Sequence, residues 1–219
     1  MPVTIVGNNT PTAGGVVYGD GTNYASSAAG TSGQLLQSNG SSAPSWVAAP
    51  TSSFVYIAST TANNSSTVDL NTGFSSSYDN YYILFQNCTT SSAGSDLGFQ
   101  IYLAGVVQTG SVYNSQSVST AALSSSTSSA SSGRFGIAMN TDASNEVSTG
   151  YLNVFDVNNT RSRNPQLSGY AARSDAATAR FTSMLYASAT TSAITGIRFI
   201  SVTGNIVTGT FRLYGIKNS

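Results

Sequence analysis

Near its C-terminal end the sequence reads Phe211-Arg212-Leu213-Tyr214-Gly215-Ile216. Successive side chains of a β-strand point to opposite faces, so Phe211 and Leu213 would face one side while Arg212 and Tyr214 face the other. The first side is apolar enough for a core and the second is polar enough for solvent. This stretch therefore predicts a half-buried β-strand.

Similar strand signals recur along the chain beyond Thr51. Short apolar-rich runs alternate with polar turn clusters, a pattern typical of antiparallel strands, and helical periodicity is not convincing anywhere. Strands are predicted near residues 54–59, 66–70, 80–88, 97–104, 106–112, 133–140, 147–156, 166–173, 179–188, 194–203 and 206–216. About ten strands at this spacing predict an all-β fold, with a jelly-roll-like antiparallel β-sandwich over residues 51–219.

Two turns and one long loop are also predicted. Gly204-Asn205 and Ala104-Gly105 suit two-residue hairpins, because glycine and asparagine tolerate positive φ. Residues 114–132 are nearly all Ser, Thr and Ala. This stretch is too polar for a core strand and too long for a hairpin turn, so a surface loop is predicted there.

Residues 1–50 are predicted to form an extended arm rich in glycine and serine. Ordering each residue costs roughly 1–2 kcal/mol of backbone entropy, which so few apolar groups cannot offset. The arm is therefore either a disordered linker or a segment ordered by its neighbours. The apolar clusters at 16–18, Leu35-Leu36 and Trp46-Val47 favour the second alternative, with the arm used for attachment or trimerisation.

Composition narrows the possible functions. Only 7% of the residues are charged, with eight basic and eight acidic groups, against about 25% in an ordinary domain. No basic stripe is present, so nucleic-acid binding is not expected. No apolar run approaches about 18 residues and no signal peptide is recognisable, so we expect no membrane insertion and assembly in a cytoplasm. The lone Cys88 is expected to be a small buried side chain.

Catalysis is not expected. The chain has no histidine, which removes the Ser-His-Asp and Cys-His nucleophile arrangements and the commonest transition-metal ligand. Two carboxyl groups could still meet in the fold, so a glycan depolymerase is kept as an alternative. The oxygen-rich segments 19–23 and 142–146 fit turns better than calcium loops. We expect no cofactor and no metal.

Surface contacts are predicted from the residue types that recognise sugars, which are aromatic rings surrounded by polar and charged groups. The candidates for receptor or surface contact are Tyr113, Asn158, Arg161 and Arg163. The alternative for Arg161 and Arg163 is that they form intersubunit hydrogen bonds or stay solvated. An arginine within a strand must face solvent or pair with another group, because an unpaired buried charge is costly. Protein–protein interfaces are enriched in Arg. The candidates for a subunit interface are Leu35, Leu36, Trp46, Arg180, Arg198 and Arg212.

Two phrases carry a family resemblance: GTSGQLLQSNGSSAPSW at residues 30–46 and GTFRLYGIK at residues 209–217. They resemble tail-fibre and virion-surface proteins of tailed bacteriophages. In such proteins the first phrase resembles a stalk before a β-rich tip, and the second resembles the last strand of that tip.

The resemblance implies a virion protein that is a homotrimer, contacts other virion proteins through its arm and binds a host-surface glycan or protein. Long fibres usually carry a separate attachment domain before the stalk, whereas this sequence starts almost directly in the arm. A short tail fibre or fibre tip is therefore expected. The alternative is a capsid decoration or cement protein that stabilises the head.

Overall fold

The structure is a computed structural model that describes residues 12–50, 52–119, 125–138, 147–173, 179–186 and 189–218. The chain divides into two compact units, Met1–Ser52 and Ser53–Ser219. The fold is all-β, as predicted: 60% of it is strand, in antiparallel sheets that include a half-barrel, and the described residues contain no helix. No membrane-spanning helix is therefore found among them.

The first unit contains two short hairpins. Strand β1 (Val17–Gly19) pairs with β2 (Tyr24–Ser26), and β3 (Gln34–Asn39) pairs with β4 (Ser42–Ala48). The predicted strands began only at residue 54, so these four were missed. Their apolar residues are few, and the hairpins close through turns and local bonds. In addition, Nε1 of Trp46 in β4 donates to the carbonyl of Ala28, which lies between the two hairpins in sequence, at 2.8 Å.

The oxygen-rich segment 19–23 is the turn between β1 and β2. The Asp20 carboxylate accepts the backbone N–H groups of Thr22 at 2.9 Å and Asn23 at 2.6 Å. These bonds favour the charged form and hold the pKa of Asp20 below its ordinary value. The turn interpretation is confirmed for this segment. Segment 142–146 lies outside the described residues.

The second unit is built from thirteen strands in the described residues. They are β5 (Phe54–Thr61), β6 (Thr67–Leu70), β7 (Asn80–Thr90), β8 (Asp96–Leu103), β9 (Val106–Val107), β10 (Tyr113–Ser119), β11 (Ser125–Ala130), β12 (Gly133–Ala138), β13 (Ser148–Val154), β14 (Gln166–Arg173), β15 (Ala179–Tyr186), β16 (Ile194–Ser201) and β17 (Ile206–Ile216). Strands β14 and β17 have the predicted bounds, and most of the others differ by only a few residues. The strand predicted at 106–112 is limited to Val106–Val107.

These strands form two antiparallel sheets. The larger has eight strands in the order β11-β10-β15-β14-β13-β7-β17-β5. The smaller has the order β12-β8-β16-β6, with β9 paired to β8. Strands distant in sequence are neighbours in both sheets, so most contacts are long-range.

The inward faces of both sheets share one hydrophobic core. Phe211 and Leu213 are completely buried, whereas Arg212 and Tyr214 are half-buried on the outer face. The alternation predicted for this strand is confirmed. At the centre of the core, the Phe85 ring lies 5.1 Å from Phe135 and 6.1 Å from Phe199, measured between centroids.

A glycine makes room for this aromatic core. Gly150 in β13 faces inward, and a Cβ there would lie 2.4 Å from Cζ of Phe85 and 2.0 Å from the Tyr170 carbonyl oxygen. Real Cβ atoms do not approach other atoms so closely. The absence of a side chain at 150 therefore lets β13 and the ring of Phe85 pack together.

The prediction of a surface loop at 114–132 is wrong, because this stretch contributes β10 and β11 to the larger sheet. Ser115 and Ser117 occupy inward positions and are buried. The Ser115 hydroxyl accepts the backbone N–H of Arg134 at 3.1 Å. Small hydroxyl groups fit an inward face when a partner satisfies them, so serine can occupy inward positions of this strand.

One predicted hairpin is confirmed and the other is wrong. Ala104 and Gly105 both have positive φ, 47° and 84°, and join β8 to β9 with Leu103 opposite Val106. Gly204 also has positive φ, 80°, but β16 and β17 belong to different sheets. The same residue types therefore form a turn at the point where the chain passes from the smaller sheet to the larger one.

Candidate binding surfaces

The loop between β13 and β14 encloses a shallow pocket of 190 Å³, here called the loop pocket. Its lining residues are Phe155, Asp156, Asn159, Arg163, Asn164 and Gln166. Strands β13 and β14 position its two walls, since the Phe155 N–H faces the Gln166 carbonyl at 3.5 Å. Ligand pockets for larger molecules measure about 300–1,000 Å³. This volume therefore suits one small ring.

Arg163 holds the loop in shape. Its guanidinium donates to the carbonyl oxygens of Asn159 at 2.9 Å, Asp156 at 2.7 Å and Val157 at 3.2 Å. Its Nε is buried, has no hydrogen-bond partner in the structure and lies 3.9 Å from Oδ2 of Asp156. The carbonyl oxygens of Asp156 and Val157 also accept the backbone N–H groups of Asn159 at 3.3 Å and Ile194 at 3.0 Å, so the guanidinium adds a second bond to each of them. Arg163 is thus a positioning residue for the pocket.

The pocket offers an aromatic ring beside polar groups. The ring of Phe155 is 41% exposed, and the side chain of Asp156 is 54% exposed. Gln166 is exposed, and Asn159 donates to the Asp156 carboxylate. An aromatic ring together with amide and carboxylate groups is the combination of side chains that contacts the C–H and hydroxyl groups of a sugar ring. The arrangement is equipped to bind and contains no nucleophile activated by a base.

The predicted contact residues have different positions in the structure. Arg161 is exposed on the pocket loop, and its backbone N–H bonds Oδ1 of Asn159 at 2.8 Å. Asn158 is directed inward, where its amide donates to the Tyr78 carbonyl at 2.8 Å and the Ser75 carbonyl at 3.2 Å. It ties the loop to the segment before β7. The structure therefore brings Asn158, Arg161 and Arg163 into one loop, and leaves Arg161 as the most accessible of them.

The prediction of a receptor contact by Tyr113 is corrected, because its side chain is only 1% exposed and cannot contact a receptor. Its hydroxyl accepts the Ile101 N–H at 3.0 Å and donates to the Gln108 carbonyl at 2.8 Å. Burial raises the pKa of Tyr113. The residue begins an inward-facing strand, whereas a loop was predicted to follow it.

A second surface lies on the outer side of the larger sheet. We call it the aromatic face and define it by Phe54, Tyr56, Tyr82, Tyr151, Tyr170 and Tyr214. The rings of Tyr82, Tyr151 and Tyr170 stack in a row, with centroids 5.3 Å and 5.9 Å apart and interplanar angles of 26° and 22°. Tyr56 packs edge-on to Tyr214 at 5.8 Å, and Phe54 packs edge-on to Tyr82 at 5.6 Å.

The aromatic face has no acidic group. None of the eight strands of its sheet contains Asp or Glu. Burial, followed by the neighbouring Tyr151 and Tyr214, raises the pKa of Tyr82, so this phenol stays neutral at neutral pH. The sequence prediction missed this surface because its residues come from five strands whose register was unknown. The signal that could have revealed it is the recurrence of tyrosine at the outward positions of strands whose side chains alternate between the two faces of the sheet.

The residues predicted for a subunit interface are now placed. Leu35 and Leu36 are 51% and 42% exposed in the first unit, and Trp46 makes the internal bond described above. Arg212 lies on the aromatic face and donates to Oε1 of Gln86. The side chain of Arg180 lies outside the described part of the structure.

Arg198 is bonded within its own chain. Its guanidinium donates to both carboxylate oxygens of Asp69, at 2.7 Å and 3.0 Å, and to the Tyr102 hydroxyl at 2.8 Å. The bonds to Asp69 raise the pKa of Arg198 above its ordinary value. The charge therefore needs no group from another subunit. A subunit contact by Arg180, Arg198 or Arg212 stays a prediction.

We expect the Asp69–Arg198 pair to be coupled by about 1–2 kcal/mol, because it is bidentate and both side chains are largely shielded from solvent. The measurement is a double-mutant cycle with Asp69→Ala, Arg198→Ala and the double variant, using urea denaturation. Additive effects of the two single variants would show that the pair contributes nothing of its own.

Cys88 is buried, as predicted, and burial raises the pKa of its thiol. A thiol that stays protonated is a poor nucleophile. Among the described residues, no group of three or more Cys, Asp or Glu is placed to hold a metal ion.

No protein-family model, curated protein or solved structure matches this chain. The loop pocket and the aromatic face are therefore the features from which function is inferred.

Proposed function

We propose that this chain is a non-enzymatic structural protein of a tailed-bacteriophage virion. It acts as a short homotrimeric tail fibre or fibre tip. Its second unit is a jelly-roll-like β-sandwich directed at the host surface, and its first unit is the arm that attaches it to other virion proteins. The resemblance of residues 30–46 and 209–217 to tail-fibre and virion-surface proteins supports this assignment.

The observation that carries the proposal is the loop pocket, where an exposed Phe155 ring adjoins the Asp156 carboxylate and the amides of Asn159 and Gln166. A pocket of one-ring size binds weakly by itself. Several copies on one particle raise the effective concentration and turn weak contacts into stable attachment. A host-surface glycan is therefore the ligand that this pocket fits best.

Labelling of the particle tests the proposal. Gold-conjugated antibody against the second unit is expected to mark the distal end of the tail, and antibody fragments are expected to block adsorption of phage to its host. Gold found on heads would reject the tail-fibre assignment. A protein that is present in no virion would reject the virion assignment altogether.

A capsid decoration or cement protein is the second candidate, favoured by the exposed apolar side chains of the first unit. Leu35, Leu36, Val17 and Tyr24 are each between 42% and 53% exposed. Such side chains suit a segment that lies across neighbouring capsid subunits. Labelling of heads, together with heads that lose stability when the protein is missing, would support this candidate.

A further inference from the structure

The most open charged group of the loop pocket is the Asp156 carboxylate, whose side chain is 54% exposed. Its Oδ2 accepts the Asn159 amide, whereas its Oδ1 has no hydrogen-bond partner among the residues that the structure describes. The exposed Gln166 amide likewise has no partner in the described part of the chain. A ligand therefore meets a carboxylate oxygen, which only accepts hydrogen bonds, and an amide, which accepts and donates them.

The Asp156 carboxylate is held in place by the loop itself. The backbone of Asp156 has a φ of 54°, a conformation that a residue with a side chain adopts at a cost. Its N–H donates to Oδ1 of Asn80 at 3.1 Å, and its carbonyl accepts Nη2 of Arg163 at 2.7 Å. A group that is already ordered loses little freedom when a ligand binds, so its hydrogen bonds contribute more to affinity.

The cation of the pocket is turned away from a ligand. The side chain of Arg163 is only 13% exposed, its Nη1 and Nη2 donate to loop carbonyl groups, and its Nε is buried. An acidic sugar would therefore place its carboxylate beside Asp156, with no open cation among the described lining residues to offset the repulsion. Arg161 is exposed on the same loop but does not line the pocket.

A positively charged amino sugar also gains little. Residues 155–166 contain two arginines and one aspartate, so the loop has a net charge of +1 (2 − 1). Nε of Arg163 lies 3.9 Å from Oδ2 of Asp156 and already offsets the carboxylate charge. A hydroxyl group meets neither repulsion, and a hydrogen bond that it donates to a carboxylate is stronger than one between neutral groups.

We propose that the loop pocket binds an uncharged sugar, whose hydroxyl groups donate to Asp156, and that Asp156 selects against acidic sugars. This inference rests on the proposed function, because that function supplies a glycan as the ligand. It goes further by naming the class of sugar and the residue that selects it.

The test is binding of the full chain to densely displayed glucose, galactose and mannose, each beside its own uronic acid and amino sugar. The wild-type chain is expected to bind the uncharged member of at least one series. The uronic acid of that series is expected to bind at least about tenfold more weakly. No binding in any series, or stronger binding of a uronic acid or an amino sugar, would overturn the proposal.

Asp156→Asn keeps the size of the side chain and removes its charge. It is expected to weaken binding of the uncharged sugar by about tenfold, and to bring the affinities for the uncharged and acidic members closer together. A residue that only shaped the loop would lower both affinities equally. A variant that still selects against the uronic acid as strongly as the wild type would therefore contradict the role of Asp156.

Three further variants locate the effect. Gln166→Ala removes an exposed amide of the pocket and is expected to weaken binding by about threefold. Asp20→Asn removes the same charge from the first unit, and Arg161→Ala removes the exposed cation of the loop; both are expected to bind within about twofold of the wild type. Thermal denaturation checks that each variant is folded. Loss of binding in Arg161→Ala or Asp20→Asn, or unchanged binding in Gln166→Ala, would place the site elsewhere.

Failure of this inference can be distinguished from failure of the proposed function. A chain that binds uncharged sugars through Asp156 but is missing from virions would leave the inference intact and reject the proposed function. A protein that is found at the tail end, and whose antibody fragments block adsorption, but that prefers uronic acids would do the reverse.

Discussion

Phe85→Ala is expected to lower the free energy of unfolding of the second unit by about 3–5 kcal/mol, the usual cost of removing a buried phenylalanine. The Phe85 ring has no exposed surface and packs within 6.2 Å of Phe135, Phe199 and Phe211, measured between centroids. These rings come from both sheets, so the cavity would open where the two sheets meet. A domain with 5–15 kcal/mol of total stability would lose a large part of it.

Urea denaturation followed by circular dichroism measures this loss, at one protein concentration so that association contributes equally to each variant. The control is Phe155→Ala, which removes the same side chain from a position that is 41% exposed. That variant is expected to cost only about 1–2 kcal/mol, because much of this ring is already in contact with solvent. Equal losses at 85 and 155 would mean that the core is not centred on Phe85.

The strand pattern could be predicted because it depends on local alternation. In β17, each inward residue is followed by an outward one from Gly209 onward, and the burial of Phe211 and Leu213 matches that order. Strand β10 was missed for a physical reason. After Tyr113 its inward positions are serines, which alternation of apolar residues does not reveal, and its burial depends on strands that are distant in sequence.

The binding surfaces required information that one segment does not contain. Asn158, Arg161 and Arg163 were selected because they are close in sequence, and they do share one loop. Their roles differ because hydrogen bonds to carbonyl groups direct two of them inward. The aromatic face needed the register between strands, since Tyr82, Tyr151 and Tyr170 lie on three strands and meet only when these pair.

Among the residues that the structure describes, the buried hydrophobic cluster is made by the second unit. The hydrophobic cluster contains only residues from Ala62 to Leu213, and the larger sheet begins with Phe54. Deleting residues 1–52 is therefore expected to leave a second unit that still unfolds cooperatively. The same deletion is expected to abolish incorporation into particles, because the proposed attachment to other virion proteins is made by the first unit.

Incorporation is measured by immunoblotting of purified particles after complementation of a phage that lacks the gene. The matched variant is Leu35→Ser with Leu36→Ser, which keeps the whole first unit but removes two exposed apolar side chains of β3. Each buried leucine contributes roughly 1.5–3 kcal/mol when it is taken out of water, so incorporation should fall strongly. Normal incorporation of both variants would mean that the first unit is a spacer and that attachment is made by the second unit.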